Sequence, residues 1–339
     1  MNAPAPQSAA ATAWDDAAHG WNRHSPLIRS WLSDATASML DAAGIMPGGR
    51  ALDVAASAGD QTLDIARRVG ASGFVLATDV SPGILRLAAD KLRSAGLHHV
   101  GFQPADAQAL GAEASGFDAA VCRLGLMFCP EPLLALKEVH RALREGGRFG
   151  ALVFSRPENN PCITITIRTA QSHAGAMAGD PYAPGALLSL GRPGLVEALM
   201  QEAGFEAVSV QARSTPFVAA RCEDYVDFVR SAGSPVIEML KPLAAAAREA
   251  AWADIARQLD RYTGANGWVG PNELLLCSGV KPITASGQAR KSPRPDVVRR
   301  KLEVQPPDRG TVTQHDTPPR RMAARHWREN RGLKRGASP

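Results

Sequence analysis

The sequence predicts an α/β fold, a doubly wound and mostly parallel sheet, on three observations. Short apolar segments alternate with helical patterns from Ala51 to Phe154, which calls for right-handed βαβ crossovers and a sheet covered on both faces. The first apolar segment runs into a turn of small residues, Ala55-Ala56-Ser57-Ala58-Gly59, that opens a helix. The second, Phe74–Asp79, ends on a carboxylate about one βαβ unit later. A small-residue turn admits a ligand to the backbone, the helix offers free N–H groups, and the acid sits where it can take both hydroxyls of a ribose. The pattern is that of a nucleoside site.

Trp14 to Ala43 reads as two helical pieces. Trp14, Ala17, Ala18 and Trp21 recur at helical spacing, and Ser25-Pro26 opens the second piece. Strands are expected at Ala51–Ala55, Phe74–Asp79, Val100–Gln103, Ala119–Cys122 and Phe149–Phe154. Between them, helices are expected at Gln61–Val69, Pro82–Ala95 and Pro132–Arg144. After Ser155 the alternation pauses. Arg156 to Gly191 holds several prolines and glycines and one β-branched run, Ile163–Ile167, and a connection of that length is usually functional or mobile. Pro193–Ala203 reads as a helix closed by Gly204, and Phe205–Val210 as a strand. Cys222–Tyr262 reads as mostly helical with a break at Ser234-Pro235, and Glu273–Val280 as the last strand.

A chain of 339 residues with 45% hydrophobic content has ample core for a large domain. No run approaches the roughly 18 to 20 apolar residues that cross a bilayer. Residues 1–12, rich in Ala, Pro, Ser and Gln, lack the basic start and apolar stretch of a secretory signal and are expected to form a disordered leader. Five scattered cysteines with no C-x-x-C pair suggest neither a disulfide framework nor a zinc site, and a cytoplasmic location with reduced thiols is expected. The net charge of +5 belongs to the C-terminal stretch, where residues 283–339 hold 14 Lys/Arg against 5 Asp/Glu, leaving 24 against 28 before it. Residues 13–282 are therefore a mildly acidic domain, which disfavours nucleic acid as its partner. Residues 283–339 are expected to be a basic, Pro/Arg-rich disordered tail, whose Arg clusters are the one hint of a phosphate-bearing partner.

Five segments then fall in a telling order: Leu52-Asp-Val-Ala-Ala-Ser-Ala-Gly-Asp60, Ala77-Thr-Asp-Val-Ser-Pro82, Pro104-Ala-Asp-Ala107, Phe117-Asp-Ala-Ala-Val-Cys-Arg-Leu-Gly-Leu-Met-Phe128 and Arg141-Ala-Leu-Arg-Glu-Gly-Gly-Arg148. Their order and spacing resemble those of class I S-adenosylmethionine-dependent methyltransferases, closest to the ubiquinone/menaquinone-biosynthesis C-methyltransferase-like group, over roughly Trp14 to Lys281. The resemblance implies a Rossmann-like, seven-stranded sheet with an antiparallel last strand and a helical insertion before it. It also implies an N-terminal helical lid over 13–45, with inserts at 156–191 and 222–264 that shape an acceptor pocket. S-adenosylmethionine would be the co-substrate. The acceptor would be a small organic molecule, quinone-like or a secondary metabolite, methylated at carbon or oxygen, with no metal and no membrane partner.

Residue by residue, the resemblance implies that Asp53 and the turn residues Ala55, Ser57 and Gly59 lie under the methionine part of the co-substrate. Asp79 would bind the ribose hydroxyls and Val80 would pack on the adenine. Asp106 would accept from the adenine amino group, Ala107 would donate its backbone N–H, and Arg123 and Leu124 would floor the site beneath the sulfonium. Ser57 is a departure, standing where the family turn, Gly-x-Gly-x-Gly, has a glycine. A Cβ at a site that needs positive φ costs about 1–2 kcal/mol.

Two other readings share these residues. An NAD(P)-dependent oxidoreductase would use the same strand, turn and ribose carboxylate, but the turn lacks G-x-G-x-x-G and Pro104-Ala-Asp-Ala107 goes unexplained. A non-catalytic binding module would keep the methyltransferase fold with a weakened turn. His19 and His24, in the N-terminal helices, are the candidate bases for methyl transfer. No Ser-His-Asp arrangement, metal-ligand cluster or P-loop is legible.

Overall fold

The structure is a computed structural model that describes residues 9–284. The expected leader up to residue 8 and the expected tail from residue 285 lie outside the described residues. In chain order the elements are α1 (Ala9–Arg23), α2 (Ser25–Ala42), β1 (Arg50–Val54), α3 (Asp60–Val69), β2 (Phe74–Asp79), α4 (Pro82–Ser94), β3 (Val100–Pro104), β4 (Phe117–Arg123), α5 (Pro132–Ala142) and β5 (Leu143–Phe154). There follow α6 (Pro161–His173), α7 (Leu195–Glu202), β6 (Glu206–Ser214), β7 (Phe217–Ala219), α8 (Cys222–Ala232), α9 (Ser234–Leu240), α10 (Ala245–Leu259), β8 (Thr263–Gly264), β9 (Gly267–Gly270) and β10 (Glu273–Val280).

Seven strands form one sheet in the order β3-β2-β1-β4-β5-β10-β6. The first five run parallel, and β10 is antiparallel to both β5 and β6. This is the doubly wound, Rossmann-like sheet with an antiparallel last strand that the sequence implied. β1 and β4 are buried along nearly their whole length, as strands covered on both faces must be. The chain moves outward from β1 to β3 on one side and from β4 on the other, so a crevice opens beyond the carboxyl ends of β1 and β4.

Two glycines set how closely helices approach this sheet. A Cβ on Gly150 would lie 2.8 Å from the Met39 carbonyl oxygen, so glycine lets α2 press on β5. A Cβ on Gly59, at φ +83, would lie 2.9 Å from Ala88 Cβ, where the start of α3 meets α4. Gly59 is thus a helix-packing residue and not a wall of the crevice, which corrects its expected role against the methionine part of the co-substrate.

One other expectation changes, and two further segments gain detail. Helix α1 begins at Ala9, inside the stretch expected to be leader. The β-branched run Ile163–Ile167 is helical within α6, because Pro161 opens the helix and Ile163, Thr166 and Ala170 fall on one buried face that packs toward α9 and α10. The helical stretch before β10 ends by residue 262, and Thr263–Gly264 opens a hairpin through Asn266-Gly267 into β9. β7, β9 and β8 form a separate three-stranded sheet in that order, anchored by Trp268, which is fully buried and donates Nε1–H to the Leu259 carbonyl at 2.8 Å. Among the described residues no helix is long and apolar enough to cross a membrane.

Candidate active site

The turn after β1 is held in a shape that L-residues resist. Ala55 and Ser57 both sit at positive φ, 55 and 53 degrees, and Leu124 at the end of β4 does the same at 57 degrees. Such backbone costs about 1 kcal/mol or more per residue and persists where surrounding bonds fix it. Here they do. Ala56 N donates to the Thr78 carbonyl at 2.9 Å, Ser57 N donates to Asp79 Oδ2 at 3.0 Å, and Leu124 N donates to the Leu152 carbonyl at 2.8 Å. The expected strain at Ser57 is therefore present, and the Asp79 carboxylate is what anchors it.

Asp79 ends β2 and is 9% exposed. Its second oxygen, Oδ1, accepts from Ser81 N at 3.0 Å. Burial pushes its carboxyl above the usual carboxylate range, while the backbone N–H groups of Ser81, Ser57 and Val80 pull it back. Asp106, after β3, is exposed and accepts from Gln108 N at 2.9 Å, capping a short 3-10 turn at Ala107–Ala109. Asp79, Val80, Asp106 and Ala107 line one cavity at the crevice, together with Ala55, Ser57, Arg123 and Leu124. Eight of the ten residues expected to hold the co-substrate thus meet there.

Asp53 does not line that cavity. It is fully buried behind the turn, accepting from Thr62 Oγ1 at 2.6 Å and Gln61 Nε2 at 3.0 Å, and burial pushes its carboxyl up to about 6. Its place is under the α3 start rather than against a ligand, because the next turn of helix offers two donors inward. Arg123 is 9% exposed, and among the described residues its side chain makes a single hydrogen bond, Nη1 to Thr36 Oγ1 at 3.0 Å. Burial lowers its pKa, and the nearest counter-charges, Asp60, Asp53 and Asp64, oppose that without pairing directly. The guanidinium is left facing the cavity with donors to spare.

Neither candidate base reaches the cavity. His19 is exposed on α1, and His24 lies against Arg23, Asp227 and the Phe228 ring, where burial lowers its pKa. His19 sits on α1 with its side chain outward, and His24 lies in the turn between α1 and α2.

Trp14 and Trp21 of α1 roof the cavity, and Phe128, in the 3-10 turn after β4, closes its side. The Trp14 ring meets Phe128 edge-on at 4.9 Å. Asp15 fastens this roof, accepting from Gly83 N at 2.9 Å and from the Ser81 hydroxyl at the start of α4. Trp14, Trp21, Leu124 and Phe128 also line a second, adjoining cavity, whose remaining walls come from α2, β5, α6, β7, α8, α9 and the turn before β10. No Asp, Glu, Lys, Arg or His lines it, and eight of its lining residues are aromatic. The sequence shows Trp14 and Trp21 only as part of a helical repeat and Phe128 only as the end of a motif; the fold shows that they border open space.

A family model described as the ubiE/COQ5 methyltransferase family matches residues 29–171. The chain is 37% identical over 122 residues to the ubiquinone/menaquinone biosynthesis C-methyltransferase UbiE of Teredinibacter turnerae, covering 36% of this chain and 49% of that one. It is 30% identical over 178 residues to the UbiE protein of Citrobacter koseri, covering 50% of this chain and 71% of that one. The alignments with the first relatives span about half of those proteins' length. Among solved structures, a phosphoethanolamine N-methyltransferase 2 of Haemonchus contortus, in complex with phosphomonomethylethanolamine and S-adenosylhomocysteine, superposes with a TM-score of 0.54 at 14% identity, over 83% of this chain and 63% of that one. The [4+2]-cyclase SpnF superposes with a TM-score of 0.50 at 20% identity, over 84% of this chain and all of that one. Likeness at that identity establishes the fold alone.

Proposed function

The chain belongs to the ubiE/COQ5 methyltransferase family, and we propose that it transfers a methyl group from S-adenosylmethionine to a small, apolar organic acceptor, at carbon or oxygen. One observation carries the reading. Two strand-end acids, Asp79 and Asp106, face a cavity that adjoins an uncharged aromatic one across the shared wall of Trp14, Trp21, Leu124 and Phe128.

The donor set fits the co-substrate. Asp79 keeps lone pairs for the two ribose hydroxyls, and Val80 offers an apolar face for the purine. Asp106 is an acceptor for the adenine amino group, with the Ala107 N–H beside it. Arg123 is better matched to the methionine carboxylate than to the sulfonium, because a buried guanidinium repels a cation and binds a carboxylate through charge-assisted bonds. When bound, S-adenosylmethionine supplies a methyl group on a positively charged sulfur that already serves as the leaving group. The residues then align and shield. Leu124 and Phe128 border the passage between the cavities, and the α1 roof, fastened by Asp15, keeps water out of it.

The apolar cavity offers no base at neutral pH. Its only titratable lining groups are Cys162 and Tyr225; burial pushes the thiol up to about 12 and the phenol further still. The acceptor must therefore be nucleophilic through its own chemistry. The names of the relatives, which point to ubiquinone and menaquinone biosynthesis, make a quinone-like ring the leading candidate. Thermal unfolding of the full chain with S-adenosylhomocysteine and, separately, NADH tests the reading. A rise in Tm with the first alone is expected; a rise with NADH alone would favour an oxidoreductase, and no response to either would favour a non-catalytic module.

A further inference from the structure

Only His24 separates α1 from α2, yet the two helices are held in different ways. α2 buries Ile28, Leu32, Met39 and Leu40 almost completely. Its first residue is pinned from below. Lys91 Nζ donates to Ser25 Oγ at 3.0 Å and to Asp60 Oδ1 at 2.7 Å, and the Ser25 hydroxyl donates to Asp60 as well. The buried residues described in α1 are Ala11, Ala17, Ala18 and Gly20, so it covers little apolar area of its own. Its large side chains, Trp14 and Trp21, border the cavities instead. Near its C-terminal end it lies on α8, where Gly20 meets the Ser231 carbonyl and Trp21 meets the Phe228 ring at 5.7 Å. Toward α9, Ser234 Oγ donates to the Ala13 carbonyl at 3.2 Å. Its ion pairs, Arg23–Asp227 and Asp16–Lys241, join exposed side chains and contribute little.

On the α4 side the fastening is a charged one. The Asp15 carboxylate accepts from Gly83 N at 2.9 Å and from the Ser81 hydroxyl, at a helix start that favours an anion. Gly83 is the residue that admits it, since a Cβ there would lie 2.6 Å from Asp15 Oδ1. Ser81 stands at the centre of the arrangement. Its hydroxyl oxygen accepts from Ile84 N at 3.0 Å, and its backbone N–H donates to Asp79 Oδ1 at 3.0 Å. The residue that orients the strand-end acid is thus also the residue to which α1 is tied. Asp15 and Gly83 themselves line neither of the two cavities.

We infer that Asp15 is a positioning residue for the co-substrate: it latches α1, hinged at His24, over the cavity, and Ser81 couples that latch to the Asp79 carboxylate. The ligand's identity rests on the methyltransferase reading; the latch rests on the contacts alone. A nucleoside beneath Trp14 and Trp21 gains contacts in the closed arrangement that the open one lacks, so it favours closing. Its hold on Asp79 also keeps Ser81 where Asp15 needs it. Asp15 therefore governs how fast the co-substrate enters and leaves without touching it.

Stopped-flow tryptophan fluorescence of the full chain with S-adenosylhomocysteine tests the latch from both of its sides. Asp15→Ala removes the acceptor, and Gly83→Ala, at a helical position, drives α1 off α4 while leaving Asp15 intact. Each is expected to speed both binding and release, release by about tenfold, so that Kd moves less than the release rate. The double variant should go no further than either single one. Asp15→Asn, whose amide oxygen still accepts, should restore most of the wild-type rates. Release that is unchanged, or faster with binding no faster, would overturn the latch. Hydrogen exchange of the wild type needs no variant to fold. Amides of 15–23 are expected to exchange faster than those of 28–40 in the free protein and to slow when S-adenosylhomocysteine binds. Equal protection of the two stretches in the free protein would overturn the hinge. Failure of S-adenosylhomocysteine to bind wild type would overturn the methyltransferase reading and the coupling to Asp79, while exchange in the free protein would still decide whether α1 opens apart from α2.

Discussion

The two cavities meet at Trp14, Trp21, Leu124 and Phe128, yet they are built by opposite rules. The first is made of strand ends and the turns that follow them, so its polar groups come from short stretches of chain and are locked by backbone bonds, as Asp79 is by Ser57 and Ser81. The second is made of side chains from segments as far apart as Trp14 and Asn272, and it is held by ring packing. The Phe217 and Phe228 rings stack at 5.7 Å, and Tyr225 stacks on Trp268 at 4.9 Å. Charge is tolerated, even concentrated, on one side and excluded from the other. The division suits a reaction in which one partner is a charged nucleoside and the other an oily ring.

The largest effect expected is on the polar side. Asp79→Ala removes the acceptor for two ribose hydroxyls and the anchor of the strained turn. Affinity for S-adenosylhomocysteine should fall on the order of a thousandfold, about 4 kcal/mol for two charge-assisted bonds. Calorimetry reads this directly, and unchanged affinity would dissolve the distinction between the two cavities.

The polar side also carries an electrostatic cost that the apolar side lacks. The carboxyl of Asp53 is raised to about 6 by burial, against an ordinary 3.8. A carboxyl raised on folding favours the folded state below its unfolded pKa, and that contribution is lost as pH rises through the folded pKa. Wild type should therefore lose about 2 kcal/mol from this group between pH 4 and 7. Asp53→Asn, neutral throughout, should flatten the stability curve over that window in denaturant titrations. Parallel curves for the two proteins would show that Asp53 is not held as described.

Next in size is Arg123→Met. If the guanidinium reads the methionine carboxylate, affinity for S-adenosylhomocysteine should drop about tenfold, roughly 1.4 kcal/mol, while that for 5′-methylthioadenosine, which has no carboxylate, should not change. Equal losses for both ligands would mean that Arg123 only supports the floor through Thr36.

The smallest effect sharpens the comparison at the turn. Ser57→Gly relieves a residue at φ 53 and should stabilise the protein by up to about 1 kcal/mol, visible as a Tm rise of a few degrees. Its N–H to Asp79 survives the change, so affinity should hold or improve slightly. A loss of stability would mean that the serine side chain makes a contribution beyond its backbone.

The same contrast explains how much the sequence revealed. Ala55, Ser57, Asp79, Val80, Asp106, Ala107, Arg123 and Leu124 were legible because each follows a strand at a fixed offset, and strand ends gather wherever a parallel sheet forms. Asp53 shares that motif but its side chain faces inward, and the Gly59 backbone packs against α4, differences that spacing alone does not reveal. On the apolar side, Trp14 and Trp21 look like ordinary core residues until α1 is seen to span a cavity, and nothing around Asn272 in the chain marks it. The helical fate of Ile163–Ile167 was hidden for a related reason, since β-branched residues join a helix only when neighbours such as α9 and α10 bury their face.

A crystal structure of the full chain with S-adenosylhomocysteine tests most directly how the two cavities divide the reactants. The adenine is expected beside Val80 and Asp106, the ribose on Asp79, the amino-acid end toward Arg123, and the sulfur at the opening bordered by Leu124 and Phe128, with the aromatic cavity left free. A ligand lodged in the aromatic cavity, or one whose sulfur points away from it, would contradict the account.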